Sequence, residues 1–195
     1  MWIKRALVIM GVFMAVSFGA SAQKVGIKTN LLTDVTLNPN IGLEFGLAKH
    51  WTAEIDYEIN AWNIKEHKLK HYVVSPEIRW WFCERWQGSF WALHLLGGQY
   101  NVGNIPGAFD FLGQQLSKLK DHRYEGWYLG AGIGYGYAWA LSKHWNLEFE
   151  IGAGYAYMKY DEYPACVKCG TATEKNATHN YFGLTKLALS LEYLF

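Results

Sequence analysis

From Trp127 to Trp139 the chain repeats with a period of two. Trp127, Leu129, Ile133, Tyr135, Tyr137 and Trp139 alternate with Gly130, Gly132, Gly134, Gly136 and Ala138. Successive side chains of an extended strand point to opposite faces, so this segment is bulky and apolar on one face and bare on the other. The glycines do not form a nucleotide-binding loop, because their spacing is two and no helix follows. A bare face leaves room for long side chains arriving from other strands.

The same period recurs along the chain. Asn40–Ala48 sets Ile41, Leu43, Phe45 and Leu47 against Gly42, Glu44 and Gly46. Trp51–Ala61 sets Trp51, Ile55, Tyr57 and Ile59 against Thr52, Glu54, Asp56 and Glu58. Tyr72–Phe82 sets Ile78, Trp80 and Phe82 against Ser75, Glu77 and Arg79. Trp145–Tyr157 sets Leu147, Phe149 and Ile151 against Glu148, Glu150 and Gly152, and the last stretch sets Leu187, Leu189, Leu191, Tyr193 and Phe195 against Lys186, Ser190 and Glu192. Lys24–Thr33 and Ser89–Tyr100 alternate less cleanly. Together these make eight strands.

The N-terminus reads as an address. Lys4 and Arg5 precede an apolar stretch from Ala6 to Phe18, and Ala20-Ser21-Ala22 is a small-residue cleavage motif. Residues 1–22 are therefore expected to be a cleaved signal peptide, with residues 23–195 forming one domain. No later segment is apolar for long enough to be a transmembrane helix. The 195 residues are 51% hydrophobic and 17% aromatic, which excludes disorder, and a net charge of +1 argues against a nucleic-acid partner.

An exported all-β chain leaves two architectures: a soluble barrel around an apolar ligand, or a barrel with its apolar face outward in an outer membrane. The connections favour the second. Long ones, at about 34–40, 61–70, 102–123 and 161–179, alternate with short ones at 49–50, 83–88 and 142–144. Aromatics gather towards strand ends as two girdles, with Trp51, Phe82, Trp139, Trp145 and Phe195 near the short turns and Tyr57, Tyr72, Tyr128 and Tyr157 at the other side. The expected fold is an eight-stranded antiparallel up-and-down transmembrane β-barrel with long extracellular loops and short periplasmic turns. Leu47-Ala48-Lys49-His50-Trp51 echoes Leu141-Ser142-Lys143-His144-Trp145, so His50 and His144 read as residues of two equivalent rim turns.

The blocks Lys28-Thr29-Asn30-Leu31-Leu32, Pro39-Asn40-Ile41-Gly42-Leu43-Glu44, Pro76-Glu77-Ile78-Arg79-Trp80-Trp81-Phe82-Cys83 and Leu93–Asn101 resemble a family of small exported Bacteroidetes proteins. That family is known only as a domain of unknown function and is regarded as outer-membrane β-barrels. The resemblance implies fold and location, and no catalytic residues. The architecture is also similar to the OmpA-type barrel, without its peptidoglycan-binding domain. Terminal Phe195 resembles the aromatic that barrel-assembly machinery reads during biogenesis.

By alternation, Lys28, Glu44, Glu54, Asp56, Glu58, Glu77, Arg79, Glu148, Glu150, Lys186 and Glu192 share the inward face, with His94 beside them. An eight-stranded barrel is just wide enough for side chains to fill. A charge-plugged lumen is therefore favoured over a narrow ion channel. Ser75, His94 and Glu77 could compose a hydrolytic set for a lipid-modifying enzyme, but in a lumen they would not reach lipid. Cys166 and Cys169 form a C-x2-C in the last long loop, for which a local disulfide is favoured over zinc in an exported chain. Cys83 is odd and reads as a free thiol. Residues 106–120 could form a short amphipathic helix. No catalytic, cofactor or metal set is read. The expected role is structural or accessory in the cell envelope and non-enzymatic, with outer-membrane lipid and a surface-assembly protein as partners. A lipid-modifying enzyme and a narrow channel are the alternatives.

Overall fold

The computed structural model describes residues 25–64, 67–103, 122–164 and 173–195. The expected signal segment 1–22, the stretch 106–120 expected as an amphipathic helix, and Cys166 and Cys169 lie outside them. Eight strands follow one another: β1 Val25–Asn30, β2 Asn40–Ala48, β3 Trp51–Ile64, β4 His67–Trp81, β5 Gly88–Gly103, β6 His122–Ala140, β7 Trp145–Pro164 and β8 Glu174–Leu194. Each pairs antiparallel with its chain neighbours, and β1 pairs with β8, so the sheet closes into a ring. The one short helix, α1 (Leu31–Val35), follows β1 directly. No helix among the described residues is long and apolar enough to cross a membrane.

Two expectations are corrected. Residues 31–33 are helical rather than strand, because Asn30 caps the turn: its side chain accepts from Leu32 N at 3.1 Å. The connection expected at 61–70 is mostly strand, since the β3–β4 ladder continues from Ala61↔Lys70 to Ile64↔His67, and the one expected at 161–179 is strand up to Pro164 and again from Glu174. Polar residues there pair as readily as apolar ones, because a ladder needs only backbone. Strand length rises along the chain, from 6 residues in β1 to 21 in β8, so the rim at the long-connection end slopes.

The short turns are tied down by the repeated motif. His50 O accepts from Trp81 N at 2.9 Å while His50 Nδ1 contacts Trp81 O at 3.1 Å. His144 does the same to Leu194, at 2.8 Å for both contacts. Each turn histidine thus pairs both backbone groups of the neighbouring strand's end, extending the ladder by a side chain. Between these turns, Trp86 adopts a positive φ of 65° and tucks its ring inside. There it joins Trp81 and Phe90, whose centroids lie 4.5 Å apart, as an aromatic floor across the interior.

The glycine row of β6 makes that interior possible. A Cβ on Gly136 would strike the Phe90 ring and the Phe149 carbonyl, and one on Gly134 would strike Glu150. Gly136→Val is therefore expected to destabilise the fold by at least about 1–3 kcal/mol, the usual cost of overpacking. Ala131→Val, at an exposed position of the same strand, should change it by less than about 0.5 kcal/mol. Chemical-denaturant melts of the two variants check this.

Candidate functional site

Alternation carries titratable side chains of seven strands into the ring. Lys28, Glu44, Glu54, Glu77, Arg79, His94, Glu148, Glu150 and Glu192 are all buried, and Lys186 nearly so. Arg79 stands at the centre. Its Nε meets Glu77 Oε1 at 2.5 Å, its Nη1 meets Glu44, Glu54 and Glu148 at 2.7–3.0 Å, and its Nη2 meets Glu150 at 2.9 Å. The guanidinium also lies 4.6 Å over the Phe90 ring. A planar fork with five donors suits such a crowd of carboxylates.

Two lysines complete the network. Lys28 Nζ contacts Glu44, Glu54 and Glu148 at 2.5, 2.8 and 2.7 Å, and Glu192 at 3.9 Å. Lys186 Nζ contacts Glu77 at 2.7 Å, Asp56 at 3.1 Å, Glu150 at 3.4 Å and Glu54 at 3.5 Å. Three cations therefore face seven carboxylates: Glu44, Glu54, Asp56, Glu77, Glu148, Glu150 and Glu192. Glu58 stands apart from them, 3.0 Å from His71 Nε2.

Below the network the aromatic floor closes the short-turn end. Trp81 Nε1 donates to Thr52 Oγ1 at 2.9 Å, and Asn146 Nδ2 donates to the Trp86 carbonyl at 3.0 Å. Above it, towards the long connections, a polar cavity of about 240 Å³ is lined by Asp56, Glu58, Ser75, Tyr128 and Thr185, with Lys28, Glu54, Arg79 and Lys186 at its base. Tyr128 thus faces inward and does not belong to the outer girdle. Its parity is that of Gly130 and Gly132, and the outer position is Trp127, whose ring lies 5.8 Å from that of Tyr157. Higher still, burial and then the Glu162 carboxylate push the Tyr124 phenol above its ordinary range.

Ser75 and His94 are not joined as a hydrolytic pair. Ser75 Oγ donates to Leu95 O at 2.8 Å, whereas His94 Nε2 faces Thr185 Oγ1 at 2.9 Å and Nδ1 lies 4.0 Å from Glu77. Cys83 is exposed in its short turn and has no disulfide partner among the described residues. Phe195 extends the closing seam, its N donating to Val25 O at 3.0 Å.

Alternation could not show the polar knot beside the cavity. Asn40 Nδ2 donates to Asn30 O, Thr33 Oγ1 and Asp34 Oδ1 at 3.1, 2.8 and 2.8 Å, and Thr29 Oγ1 donates to Asp34 at 2.6 Å. Asn60 Nδ2 reaches Asn38 Oδ1 from β3. The knot folds α1 against the cavity mouth. Its signal in the sequence is the density of Asn and Thr in residues 29–40 around a single proline.

Arg79→Met should cost about 3–5 kcal/mol of stability, because several buried carboxylates would be left facing one another. Lys49→Met removes only an exposed 3.4 Å contact with Glu84 and should cost less than about 0.5 kcal/mol. Paired denaturation curves check the contrast.

Comparisons with known proteins bear on family alone. No curated protein and no solved structure matches the chain. The family model described as "Protein of unknown function (DUF3575)" matches residues 8–195, and the chain belongs to that family.

Proposed function

We propose that this chain is an integral outer-membrane β-barrel of the bacterial cell envelope, exported by its signal peptide, non-enzymatic and structural or accessory in role. One observation carries the reading: the ring is inverted relative to a soluble domain. Its interior holds a buried ion network, while its outer wall exposes large apolar side chains on every strand from β1 to β8, among them Ile41, Ile55, Ile78, Leu93, Ile133, Ile151 and Leu187. An exposed apolar surface of that extent would not persist in water. A closed ring satisfies its backbone hydrogen bonds internally, as hydrocarbon demands.

The ends of the belt support the same reading. Trp51, Trp80, Trp91, Trp139 and Trp145 are exposed near the short turns, and Tyr57, Tyr72 and Trp127 at the opposite level. Amphipathic rings favour the two interfaces of a bilayer. On this reading the short turns face the periplasm and the long connections face outward. Crossing takes about 9–11 residues per strand. β6, β7 and β8, with 19, 20 and 21 residues, are then long enough to stand beyond the outer interface.

The channel alternative is disfavoured by Trp81, Phe90 and Trp86, which floor the interior beneath Arg79. An accessory role is favoured by the projecting wall. Among the described residues, β1 pairs with β8 only from Ser190 to Leu194, so the far edge of β8 from Glu174 to Lys186 has no strand beside it. An unpaired edge is a template for a partner's strand. A surface-assembly protein is the kind of partner that would use it, and barrel-assembly machinery would act on the chain during biogenesis.

The full-length protein should fractionate with outer membranes and migrate differently on gels with and without boiling. Recovery as a soluble monomer without detergent would overturn the reading. Orientation is tested with a Cys166→Ser/Cys169→Ser variant that retains Cys83. An impermeant maleimide should label Cys83 only after the outer membrane is permeabilised, and labelling on intact cells would reverse the topology. In planar bilayers the protein should give no steady conductance. A stable open channel would favour the alternative instead.

A further inference from the structure

Glu77 on β4, His94 on β5 and Glu150 on β7 meet on one side of the interior. They are 5%, 0% and 2% exposed. One potential ligand atom from each lies within 4.8 Å of the other two. His94 Nε2 is occupied by Thr185 Oγ1 at 2.9 Å. Its Nδ1 is buried and has no hydrogen-bond partner among the described residues, and the same holds for Glu150 Oε1. Buried polar atoms are ordinarily satisfied, and these two are open positions that a cation bridging the cluster would fill.

The spacing leaves room for an ion. His94 Nδ1 and Glu77 Oε2 are 4.0 Å apart, which is too long for a hydrogen bond. Two ligands at about 2.0–2.2 Å from one metal stand about 3.0–3.5 Å apart, so the two side chains would close on the ion by about 0.5–1 Å. The backbone has been cleared around these groups. A Cβ on Gly132 would strike His94 Nε2, one on Gly152 would strike His94 Cε1, and one on Gly134 would strike Glu150 Oε1.

We propose that Glu77, His94 and Glu150 form a binding site for a divalent transition-metal ion of the Zn2+ type. One imidazole nitrogen and two carboxylate oxygens are the donor set of such ions, whereas Ca2+ and Mg2+ prefer all-oxygen shells. Three protein ligands leave a position for water. The polar cavity is lined by Arg79, Thr185 and Lys186, each of which contacts at least one of the three ligands. The ion also meets an electrostatic need, because the network holds seven carboxylates against three cations. Arg79, at 2.5 Å from Glu77 Oε1 and 2.9 Å from Glu150 Oε2, shares both carboxylates with the ion, and Lys186 tunes the affinity. Its ammonium lies 2.7 Å from Glu77 and 3.4 Å from Glu150, so it competes for both, and on ion entry it retains Asp56 at 3.1 Å.

The site lies inside the ring, so its test is indifferent to what surrounds the outer face. The folded full-length protein is stripped with EDTA and titrated calorimetrically with Zn2+, with Co2+ as a spectroscopic probe. Binding of one ion per chain is expected. His94→Gln keeps an amide at the Nε2 position for Thr185 but lacks the Nδ1 ligand, and it should weaken binding by about tenfold or more. Lys186→Met should tighten it. His71→Gln, which lies outside the cluster, should leave it unchanged. No binding by the wild type, equal binding by His94→Gln, or loss on His71→Gln would overturn the proposal. Should His94→Gln not fold, X-ray absorption of the Zn2+-loaded wild type decides: one imidazole among oxygens supports the site, and an all-oxygen shell overturns it.

Discussion

The ion network around Arg79 is the constraint on which the rest of the ring depends. A guanidinium and two ammonium groups, buried from water, cannot be held by one or two strands. Their partners come from β2 (Glu44), β3 (Glu54, Asp56), β4 (Glu77), β7 (Glu148, Glu150) and β8 (Glu192), while the cations come from β1, β4 and β8. Some of the bonds join neighbouring strands, and others, such as Arg79 to Glu148 and Glu150 and Lys186 to Glu77, run across the ring. Burying charge is costly unless it is paired, so every interior carboxylate that lost its cation would penalise an open or misregistered ring. One residue of slip in any strand would move its charges to the apolar face. The network thus contributes to register as well as to stability.

The aromatic floor and the glycine row serve that network from two directions. Phe90 lies beneath the Arg79 guanidinium, and Gly136 on β6 leaves space for the Phe90 ring. Gly134 and Gly132, one and two steps higher, leave space for Glu150 and His94. β5 and β6 contribute few charges of their own. The small inward residues of β6 accommodate what β5 and β7 project, and this division of labour explains why a single strand can be so bare on one face.

Much of this was legible in the sequence, and the limits have physical causes. Side-chain alternation has a period of two, so the inward face could be read strand by strand for Glu44, Glu54, Glu77, Arg79, Glu148 and Glu192 without knowing any contact. Which cation meets which carboxylate was not legible, because pairing across a ring depends on strand tilt and stagger. Tyr128 was misplaced on the outer girdle because its neighbour Trp127 is also aromatic, and parity alone separates them. The β3–β4 hairpin ran further than expected because polar residues such as Asn63 and Lys68 give no hydrophobic signal, yet their backbones still pair. The α1 knot and the clamps of His50 and His144 were hidden for another reason. The clamps are made by side chains bonding to backbone and the knot largely by polar side chains bonding to one another, and neither leaves a periodic trace. The repeated Lys-His-Trp was the visible sign of the clamps, but it did not reveal their chemistry.

The interior is also asymmetric along its axis, and this narrows what the protein can do. At the short-turn end Trp81, Phe90 and Trp86 seal the space, with Asn146 bonded to the Trp86 carbonyl. At the other end the cavity is polar and reaches down to Arg79 and Lys186, flanked by an α1 whose position is set by Asn40. A solute entering from the long-connection side meets a charged base and goes no further. A passage needs comparable access from both ends, whereas a binding recess needs one open end and a fixed array of partners. The array here is overdetermined by cross-ring ion pairs, so it would present its groups with little reorganisation. That geometry suits holding a small cation better than conducting one.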